Sequence, residues 1–584
     1  MSPRTFRHTI PLVVRALSAA VLVAGACAMP QAAAPATVAQ PALSASGGVT
    51  AAHGMVVSAS AIASTVGRDV LAAGGNAVDA AIATGFALAV TYPTAGNIGG
   101  GGFMVLRMPD GRATTIDFRE MAPQAAKPEM FTDSTGAYST TRHHRSHLAV
   151  GVPGTVAGFA LAHERYGKLP WTRLVDPATH LAADGFNVPL GLATSLSGAL
   201  SRMKPYPSSI AAYSKNGVPY VVGEHMRQLD LAQTLTRIRD EGRNGFYRGQ
   251  TARLIAAEMQ RGGGLITETD LAGYEAKERA AVHGTYRGYD IISMPPPSSG
   301  GVAMMEMLNI LEGFDLASAG HNSPKYVHLV TEAMRRAFLD RARFLGDPDF
   351  TQAPIERLTS KSYAATLRKS IAIDRATRSA PTQIDQDYES FETTHFSVVD
   401  ATGMAVSVTY TLEAGYGLGA VVGGAGFLLN NQMGDFNGKP GHTDSTGLIG
   451  TAPNIAQPGK RMLSSMTPSI VARDGKLVAV VGSPGGRTII NTVLQVVLNL
   501  IDFRMNIQEA VNAPRFHHQW LPDVLTVEPN GLSPAAIAAL RAMGHDVRVG
   551  GPQGTAHSIF VDAKGGNRIG AADPRDKDAG AIGY

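Results

Sequence analysis

Two threonines occupy positions where nucleophilic chemistry can arise. Thr393 precedes a strand-like run at 395–399, and Thr411 ends the run that begins at 404. A turn at 400–403 joins the two runs, so the pattern predicts a β-hairpin. In one register position 393 lies opposite 410; if the loop is one residue longer, it lies opposite Thr411 and the two hydroxyls face each other. A threonine hydroxyl attacks only when a base takes its proton, so a structural role is the alternative at both positions.

The pair Gly485 and Gly486 is a second candidate for chemistry. A buried strand is predicted at 477–482 and a helix at 488–501, so the glycines lie where strand meets helix. Backbone N–H groups at such a junction point outward and suit an anion. The glycine run at 99–102, by contrast, lacks the Lys-Ser/Thr of a phosphate-binding loop.

Histidine clusters raise the question of a metal site. His143, His144 and His147 lie in a polar stretch that we expect to be exposed, and His517 and His518 are adjacent. Neither group has the spacing of an H-E-x-x-H site, so solvated or packed histidines are expected and no metal is.

Serine nucleophiles have weaker support. The sequence contains no G-x-S-x-G motif, which argues against an α/β-hydrolase. Ser298 and Ser299 follow three prolines. A rigid turn is the expected role of this pair, in preference to a nucleophile.

Capping residues and periodicity predict the elements around these candidates. A helix is expected over 61–73, and Asn76 should cap an alanine-rich helix that runs to about residue 90. Strands are expected at 103–107 and 427–430. The polar segment 375–392 lacks apolar periodicity and is predicted to be mobile, directly before the hairpin.

Size and composition indicate an ordinary globular protein. The chain has 584 residues, of which 44% are hydrophobic and 17% charged, and its formal net charge is +4. That length allows several average domains or one large layered core. No Lys/Arg stripe accompanies the small positive charge, so a nucleic-acid partner is not expected.

The N-terminus has the pattern of a secretory signal. Arginines precede an apolar run at 16–26, and small residues follow. We expect a signal peptide at 1–28 and a flexible lead-in at 29–52. About eleven apolar residues are too few to cross a ~30 Å hydrocarbon core as a helix. The sequence therefore predicts export, to the periplasm or the outside, without a transmembrane anchor.

Cys27 is the single cysteine of the chain. It either belongs to the discarded peptide or accepts a lipid, which would make the protein a lipoprotein held at a membrane. Ala24 fits the lipoprotein pattern poorly, because a larger aliphatic residue is usual there. In either case the chain after Cys27 contains no thiol, so disulfides and a cysteine nucleophile are excluded.

The chain resembles the γ-glutamyltransferases of the bacterial type, within the N-terminal-nucleophile hydrolases. The sequence TTHFSVVD at 393–400 is similar to the subunit junction of that family. Other blocks match in the same order from about residue 53 to the C-terminus, namely 74–80, 96–102, 117–120, 430–436, 463–466, 482–486 and 512–520. The resemblance implies an α+β fold, an αββα four-layer sandwich built jointly by a large subunit, 53–392, and a small subunit, 393–584.

The resemblance also implies how Thr393 acts. Its hydroxyl attacks the Glu392 carbonyl, and hydrolysis of the resulting ester frees an α-amine whose ordinary pKa, about 7.7–8.0, suits a general base. The same hydroxyl then attacks a substrate γ-carbonyl. Thr411 orients that hydroxyl, while Gly485 and Gly486 hold the oxyanion.

Substrate recognition follows from the same blocks. Arg119 would bind the α-carboxylate in a fork geometry that lysine cannot reproduce. Asp435 would pair with the α-ammonium. The remaining pocket residues implied by the resemblance are Ser464 and Ser465 beside the carboxylate and Glu413 and Gln432 beside the ammonium.

Two positions depart from the family pattern. Many relatives carry Asn where this chain has Glu413, and the extra carboxylate should favour the ammonium while affecting acceptor preference. The loop 437–451 resembles a lid over the site, yet Thr446 stands where a tyrosine is expected. The balance between hydrolysis and transfer is open at this point.

The expected function is cleavage of glutathione and other γ-glutamyl amides, with transfer to water or to amino acid and peptide acceptors, without metal or organic cofactor. The first alternative is a glutaryl (cephalosporin-type) acylase of the same family, which has less need for Asp435. The second is an exported binding protein that keeps the fold without catalysis and has no reason to be cut.

Overall fold

The structure, a computed structural model, describes residues 47–381, 393–564 and 566–584. The expected signal peptide, Cys27 and Glu392 lie outside the described residues. The expected lead-in is described only from residue 47, and there the expectation is wrong, because a strand at Val49–Ala51 pairs with residues 568–570. The ordered structure therefore begins before residue 53.

Strands occur throughout the described chain. In chain order they are β1 (Val49–Ala51), β2 (Met55–Ser58), β3 (Gly101–Arg107), β4 (Ala113–Phe118), β5 (Phe186–Asn187), β6 (Ser214–Lys215), β7 (Val218–Pro219), β8 (His225–Met226), β9 (Lys277–Arg279), β10 (Val282–Tyr286), β11 (Tyr289–Ser293), β12 (Thr394–Val399), β13 (Ala405–Thr411), β14 (Ser469–Arg473), β15 (Lys476–Val481), β16 (Phe516–His517), β17 (Leu525–Val527), β18 (Val547–Val549), β19 (Ser558–Val561), β20 (Arg568–Ala571) and β21 (Gly580–Gly583).

The helices are concentrated in the first two thirds of the chain. They are α1 (Ala61–Ala72), α2 (Ala77–Thr91), α3 (Thr140–His144), α4 (Thr155–Tyr166), α5 (Trp171–Asp184), α6 (Leu190–Met203), α7 (Pro207–Tyr213), α8 (Leu229–Glu241), α9 (Asn244–Tyr247), α10 (Gly249–Gly262), α11 (Glu268–Gly273), α12 (Gly300–Leu311), α13 (Leu316–Ala319), α14 (Pro324–Phe344), α15 (Ile355–Leu358), α16 (Lys361–Lys369), α17 (Thr488–Ile501), α18 (Ile507–Asn512) and α19 (Pro534–Ala542), with 3-10 helices at His147–Ala149, Gln432–Asp435 and Ala452–Asn454.

Two seven-stranded antiparallel sheets form the centre of the molecule. The first has the order β1-β20-β19-β15-β14-β11-β10 and the second the order β21-β2-β12-β13-β3-β4-β9. Strands β12 and β13 contact β15, so the sheets pack face to face. Helices α12 and α17 pack on the first sheet, and α2 and α4 pack on the second. The result is an α+β fold in which each sheet buries one face against the other sheet and one against helices.

The β12–β13 hairpin settles the register that the sequence left open. Val399 pairs with Ala405 and Thr394 with Tyr410, so the next position brings Thr393 opposite Thr411. The loop is longer than the first register requires, because Asp400 donates its N–H to the Met404 carbonyl. The second of the two predicted registers is therefore correct.

Local capping explains the first two helices. Ser60 caps α1, and Asn76 forms a capping box with Asp79 at the start of α2, as predicted. The strand predicted at 427–430 is wrong, since only an isolated bridge joins Val421 to Leu428. Left-handed glycines on both sides of Val421, at Gly419 and Gly424, interrupt the ladder there.

The segment predicted to be mobile is anchored where it is described. Ala376 donates its N–H to the Met543 carbonyl at 2.8 Å, and the Ser379 N–H bonds to Asp523. Residues 382–392 lie outside the described part. None of the described helices combines the length and the apolar character that crossing a membrane requires.

Candidate active site

A single small pocket brings together the predicted catalytic and substrate-binding residues. All of those predicted from the sequence, Gly485 excepted, are among its lining residues. The lining consists of Arg119, Thr393, Thr411, Glu413, Gln432, Asp435, Ser464, Ser465, Met466, Gly486 and Ile489. We call it the threonine pocket.

The two threonines lie at the base of this pocket. Thr393 is 5% exposed and Thr411 is 2% exposed. The Glu413 N–H donates to the Thr411 hydroxyl oxygen at 2.9 Å, which fixes that oxygen at the end of β13. A hydroxyl held in this way lies opposite the residue that precedes β12 and can orient a nucleophile at position 393.

The two glycines form the turn between β15 and α17. Gly485 has φ 131° and Gly486 has φ 56°, both in the left-handed region. A Cβ on Gly485 would lie 2.4 Å from the Thr488 hydroxyl, so no other residue fits there. Gly486 lines the threonine pocket, while Gly485 lines an adjoining cavity of about 560 Å³. The turn therefore contributes backbone to the lining of both the threonine pocket and the larger cavity.

Arg119 and Asp435 lie side by side in the wall of the pocket. Arg119 follows β4 and is fully buried; its Nη2 donates to Asp435, and its Nε donates to the Met462 carbonyl at 3.2 Å. Gln432 donates to the same Asp435 oxygen at 2.5 Å. Beneath the arginine, burial raises the pKa of Glu120 to about 8. The pocket therefore holds one cation and one carboxylate in direct contact.

Ser464 and Ser465 are held by residues that precede the proposed cut, Ser299 and Arg341. Ser299 donates through its N–H and its hydroxyl to the Ser464 carbonyl, at 2.7 and 2.6 Å. Arg341 of α14 donates to the hydroxyls of Ser299 and Ser465, at 2.8 and 3.1 Å. The turn at Ser298–Ser299 thus supports the pocket, as expected of a structural turn. No local feature of the sequence indicates this role of Arg341.

The histidines of α3 and of the 3-10 helix that follows it, His147–Ala149, differ from the expectation of an exposed stretch. His143 is fully buried and His147 is 7% exposed, because this segment packs beneath the 3-10 helix at Gln432–Asp435. His144 Nδ1 lies 2.9 Å from Glu413 Oε1. The expected exposure was wrong, and a contact between His144 and the pocket was missed.

The adjacent pair His517 and His518 is packed. Burial lowers the pKa of His517 to about 4 and that of His518 to about 3. Asn491 and Gln519 contact the two ring nitrogens of His517, at 2.6 and 2.8 Å, and His518 lies 3.2 Å from Asp523. These contacts agree with the expectation of packed side chains.

The described residues bring another histidine group together away from the pocket. Ligand atoms of His328, Glu332 and His545 lie within 4.8 Å of one another. Glu332 already accepts hydrogen bonds from Arg335, Arg336 and the Thr377 N–H. Because the carboxylate is saturated by these donors, the group fits an ion-pair network better than a metal site.

The loop 437–451, predicted to be a lid, lies beside the larger cavity. Thr446 and Gly447 line that cavity together with Arg487. The loop is closed at its base, where Gly441 donates its N–H to the Gly450 carbonyl at 2.8 Å. The lining of the threonine pocket includes no residue from this loop, all of which is described.

Known proteins match this chain over most of its length. A sequence model of the family described as gamma-glutamyltranspeptidase matches residues 63–583. The glutathione hydrolase proenzyme of Escherichia coli (strain K12) is 49% identical over 539 residues, which are 92% of this chain and 93% of that protein. The acylase ACY 1 proenzyme of Pseudomonas sp. (strain SE83) is 38% identical over 501 residues, 85% and 87% of the two chains.

A solved structure shares the fold. The crystal structure of cephalosporin acylase from Bacillus halodurans superposes with a TM-score of 0.81 at 28% identity, and the match covers 94% of this chain and 98% of that one. The pocket, the family match and these relatives agree with one another. The chain belongs to the γ-glutamyltranspeptidase family.

Proposed function

We propose that this chain is the precursor of a γ-glutamyl hydrolase and transferase that cleaves glutathione and other γ-glutamyl amides. The observation that carries the proposal is the threonine pocket, where Thr393 shares a buried space with the oppositely charged Arg119 and Asp435. A γ-glutamyl donor presents both an acyl carbon and a zwitterionic head group, and the pocket has a complement for each. The 49% identity to a glutathione hydrolase proenzyme supports the same substrate class.

Maturation would begin with attack of the Thr393 hydroxyl on the carbonyl of Glu392. The peptide C–N bond breaks as the C–O bond forms, and the freed nitrogen takes a proton to become the Thr393 α-amine. Water then hydrolyses the ester and restores the hydroxyl. The products are a large chain that ends at Glu392 and a small chain that begins at Thr393.

The sheet pairing supports an obligate heterodimer after this cut. In the second sheet β12 pairs with β2, and β13 pairs with β3, so strands that follow the cut lie between strands that precede it. Neither chain could leave without breaking these ladders and exposing the core between the sheets. The proposed mature form is thus one αββα sandwich built by two subunits.

Catalysis would use the amine that the cut creates. The α-amine takes the proton from the Thr393 hydroxyl, which attacks the substrate γ-carbonyl, and the oxyanion is received by the N–H groups of Gly485 and Gly486. The leaving amine takes a proton and departs, leaving a γ-glutamyl ester. Water or the amine of an amino acid or peptide then resolves the ester. This scheme calls on neither a metal nor an organic cofactor.

Recognition would depend on the charged head group of the donor. Arg119 receives the α-carboxylate, with Ser464 and Ser465 beside it, and Asp435 receives the α-ammonium. A glutaryl donor lacks that ammonium and would leave the Asp435 carboxylate without its partner. The Asp435 carboxylate, whose side chain is only 11% exposed, therefore favours γ-glutamyl transfer over the acylase alternative, although a cephalosporin acylase shares the fold.

We also propose that the protein is exported to the periplasm or the outside of the cell. The proposal depends on the signal pattern at 1–28, and membrane attachment would depend on lipid transfer to Cys27. Intact mass of the protein recovered from the expressing cell distinguishes a chain that begins at Met29 from one acylated at Cys27.

One assay tests the proposed function. Purified enzyme is incubated with glutathione, with and without a dipeptide acceptor, and glutamate and the new γ-glutamyl dipeptide are both measured. We expect glutamate with and without the acceptor, and the γ-glutamylated acceptor only when the acceptor dipeptide is present. A protein that hydrolyses a glutaryl amide but not glutathione is instead an acylase, and a chain that stays uncut and inert fits a binding protein.

A further inference from the structure

Glu413 has an unusual backbone for a buried carboxylate. Its φ is 80°, a left-handed conformation that non-glycine residues seldom adopt, and the residue is 3% exposed. Such a conformation persists only where the surroundings hold it, here through the bond from its N–H to the Thr411 hydroxyl. The side chain is thereby directed from the end of β13 into the wall of the threonine pocket.

One carboxylate oxygen of Glu413, Oε1, contacts the His144 ring. The Oε1–Nδ1 distance is 2.9 Å, and the two side chains are 2% and 10% exposed. The 3-10 helix closes over this contact, because a Cβ on Gly434 would lie 2.4 Å from His144 Nδ1 and 2.7 Å from Glu413 Oε1. The pair joins α3, on one side of the proposed cut, to β13, on the other.

The other oxygen, Oε2, is buried and has no hydrogen-bond partner within the described parts of the chain. A buried acceptor without a donor is unfavourable, and more so when it is charged. Glu413 lines the threonine pocket beside Asp435, so a bound cation with several N–H donors can satisfy this oxygen. An α-ammonium is such a cation.

The charges around Glu413 make its ionisation responsive to pH near neutrality. Burial raises its pKa to about 7, the bond from His144 and the charge of Arg119 oppose the rise, and Asp435 adds to it. His143 packs on His144, with ring centroids 4.2 Å apart, and its own pKa is lowered by burial. On the far side, Arg145 and Arg202 line a cavity of about 480 Å³ that also reaches Glu413.

Glu413 is already expected beside the donor α-ammonium; we propose that its contact with His144 and the ionisation of its carboxyl group make selection of γ-glutamyl over glutaryl donors depend on pH. This inference depends on the proposed function. When Glu413 is ionised, Oε2 and Asp435 bind the ammonium together. When Glu413 is protonated, the pocket carries less negative charge. The enzyme then discriminates less strongly against a glutaryl donor, which has no ammonium. His144 is a positioning residue that holds Oε1 and stabilises the ionised form.

The test compares two donors with the mature enzyme. The ratio of kcat/KM for γ-glutamyl-p-nitroanilide to that for glutaryl-p-nitroanilide is measured from pH 5.5 to 8. Titration of the Thr393 amine affects both donors and cancels in the ratio, and titration of the substrate ammonium is the same in every variant. For the wild type we expect the ratio to rise with pH through a midpoint near neutrality.

The variants separate the two residues. Glu413→Gln should lower the ratio at pH 8 by about tenfold or more and remove the midpoint. His144→Asn should move the midpoint to higher pH, since the carboxylate loses a stabilising partner, and should have no further effect on the ratio in a Glu413→Gln background. Glu413→Asn is a second variant in case Gln disturbs folding.

A matched control is the neighbouring pair of the same kind. His147 Nε2 lies 2.9 Å from Glu258 Oε1 outside the pocket, so His147→Asn should leave the ratio and its midpoint unchanged. A wild-type ratio that does not vary with pH, or a midpoint that survives Glu413→Gln, overturns this inference alone. A midpoint that His144→Asn does not move rejects the role of His144. A wild-type enzyme that cleaves neither donor overturns the proposed function as well.

Discussion

Arg119 and Asp435 form an ion pair inside the threonine pocket, with side chains 0% and 11% exposed. An α-amino acid carries its carboxylate and its ammonium on one carbon, so a recognition site must present opposite charges side by side. The pair does so, and it links β4 to the 3-10 helix at Gln432–Asp435, on the two sides of the proposed cut.

Arg119→Lys should reduce kcat/KM strongly while leaving self-cleavage intact. Lysine keeps the charge but cannot make two parallel N–H···O bonds to a carboxylate. The loss of such a partner from a buried charge is on the order of 2–5 kcal/mol, or roughly 30- to several-thousand-fold in kcat/KM. Steady-state kinetics with a γ-glutamyl anilide measure it.

The control for this variant is Arg112→Lys, since Arg112 is 82% exposed and bonds to Asp110. That enzyme should behave as wild type. An α-amidated donor should be much poorer than the free acid for wild type and only slightly poorer for Arg119→Lys. Equal discrimination by both enzymes would show that Arg119 does not bind the carboxylate.

Thr411→Val should slow both self-cleavage and turnover. The substitution removes the hydroxyl predicted to orient Thr393 and leaves the buried Glu413 N–H without its acceptor. An increase of about 1–3 kcal/mol in the activation free energy corresponds to a roughly 5- to 150-fold decrease in rate. Thr411→Ser should retain most activity. Thr409→Val on the same strand loses a contact to His395 outside the pocket and should change kcat little, and an equal loss there would point to a general packing effect.

Gly485→Ala should lose turnover through displacement of the oxyanion turn. The new Cβ would lie 2.4 Å from the Thr488 hydroxyl at a φ of 131°. Displacing one oxyanion donor costs on the order of 10²–10³ in kcat. Gly551→Ala, in the lining of the same cavity but with nothing within 4 Å of its Cβ, should retain wild-type kcat. Comparable kcat values for the two variants would argue against the oxyanion role.

Glu332→Gln should destabilise the protein at neutral pH and less so in acid. Burial opposes ionisation, but Arg335, Thr377 and Arg336 lower the pKa of Glu332 from 4.5 to about 2. A depressed folded-state pKa gives stability that is present above pH 4.5 and is lost as pH falls toward 2. Removal of one member of such a buried network costs about 3–5 kcal/mol.

Urea unfolding at pH 7 and pH 3 measures this prediction. The difference in unfolding free energy between wild type and Glu332→Gln should be smaller at pH 3 than at pH 7. The control Asp69→Asn disrupts an exposed pair with Arg68 and should shift the unfolding free energy by less than about 1 kcal/mol. A gap of equal size at both pH values would show that ionisation of Glu332 does not contribute.

Local signals in the sequence predict the hairpin that carries Thr393 and Thr411 and the glycine pair at 485–486, whereas the other pocket residues follow from the resemblance to the family. The β12–β13 hairpin follows from alternating strand residues around the 400–403 turn, and a glycine pair between strand and helix marks a backbone anion site. The register could not be chosen from the sequence. One backbone bond, from Asp400 to Met404, decides whether Thr393 faces Thr411.

The remaining residues depend on tertiary packing. Arg341 lies in the last turn of α14, and no local signal indicates that it reaches Ser465, which is 124 positions later in the sequence. His144 lies among polar residues whose composition suggests exposure, and only the packing of α3 against the 3-10 helix brings it next to Glu413 and leaves its side chain 10% exposed. The left-handed backbone of Glu413 likewise cannot be predicted from residue-type propensities.

The central claim is that the chain cuts itself before Thr393 and then uses that residue as its nucleophile. N-terminal sequencing of the smaller band on a denaturing gel tests it most directly, with Thr393→Ala alongside. We predict a small chain that begins Thr-Thr-His-Phe in the wild type and a single uncut chain in the variant. A small chain that begins elsewhere, or normal cutting of Thr393→Ala, would contradict the account.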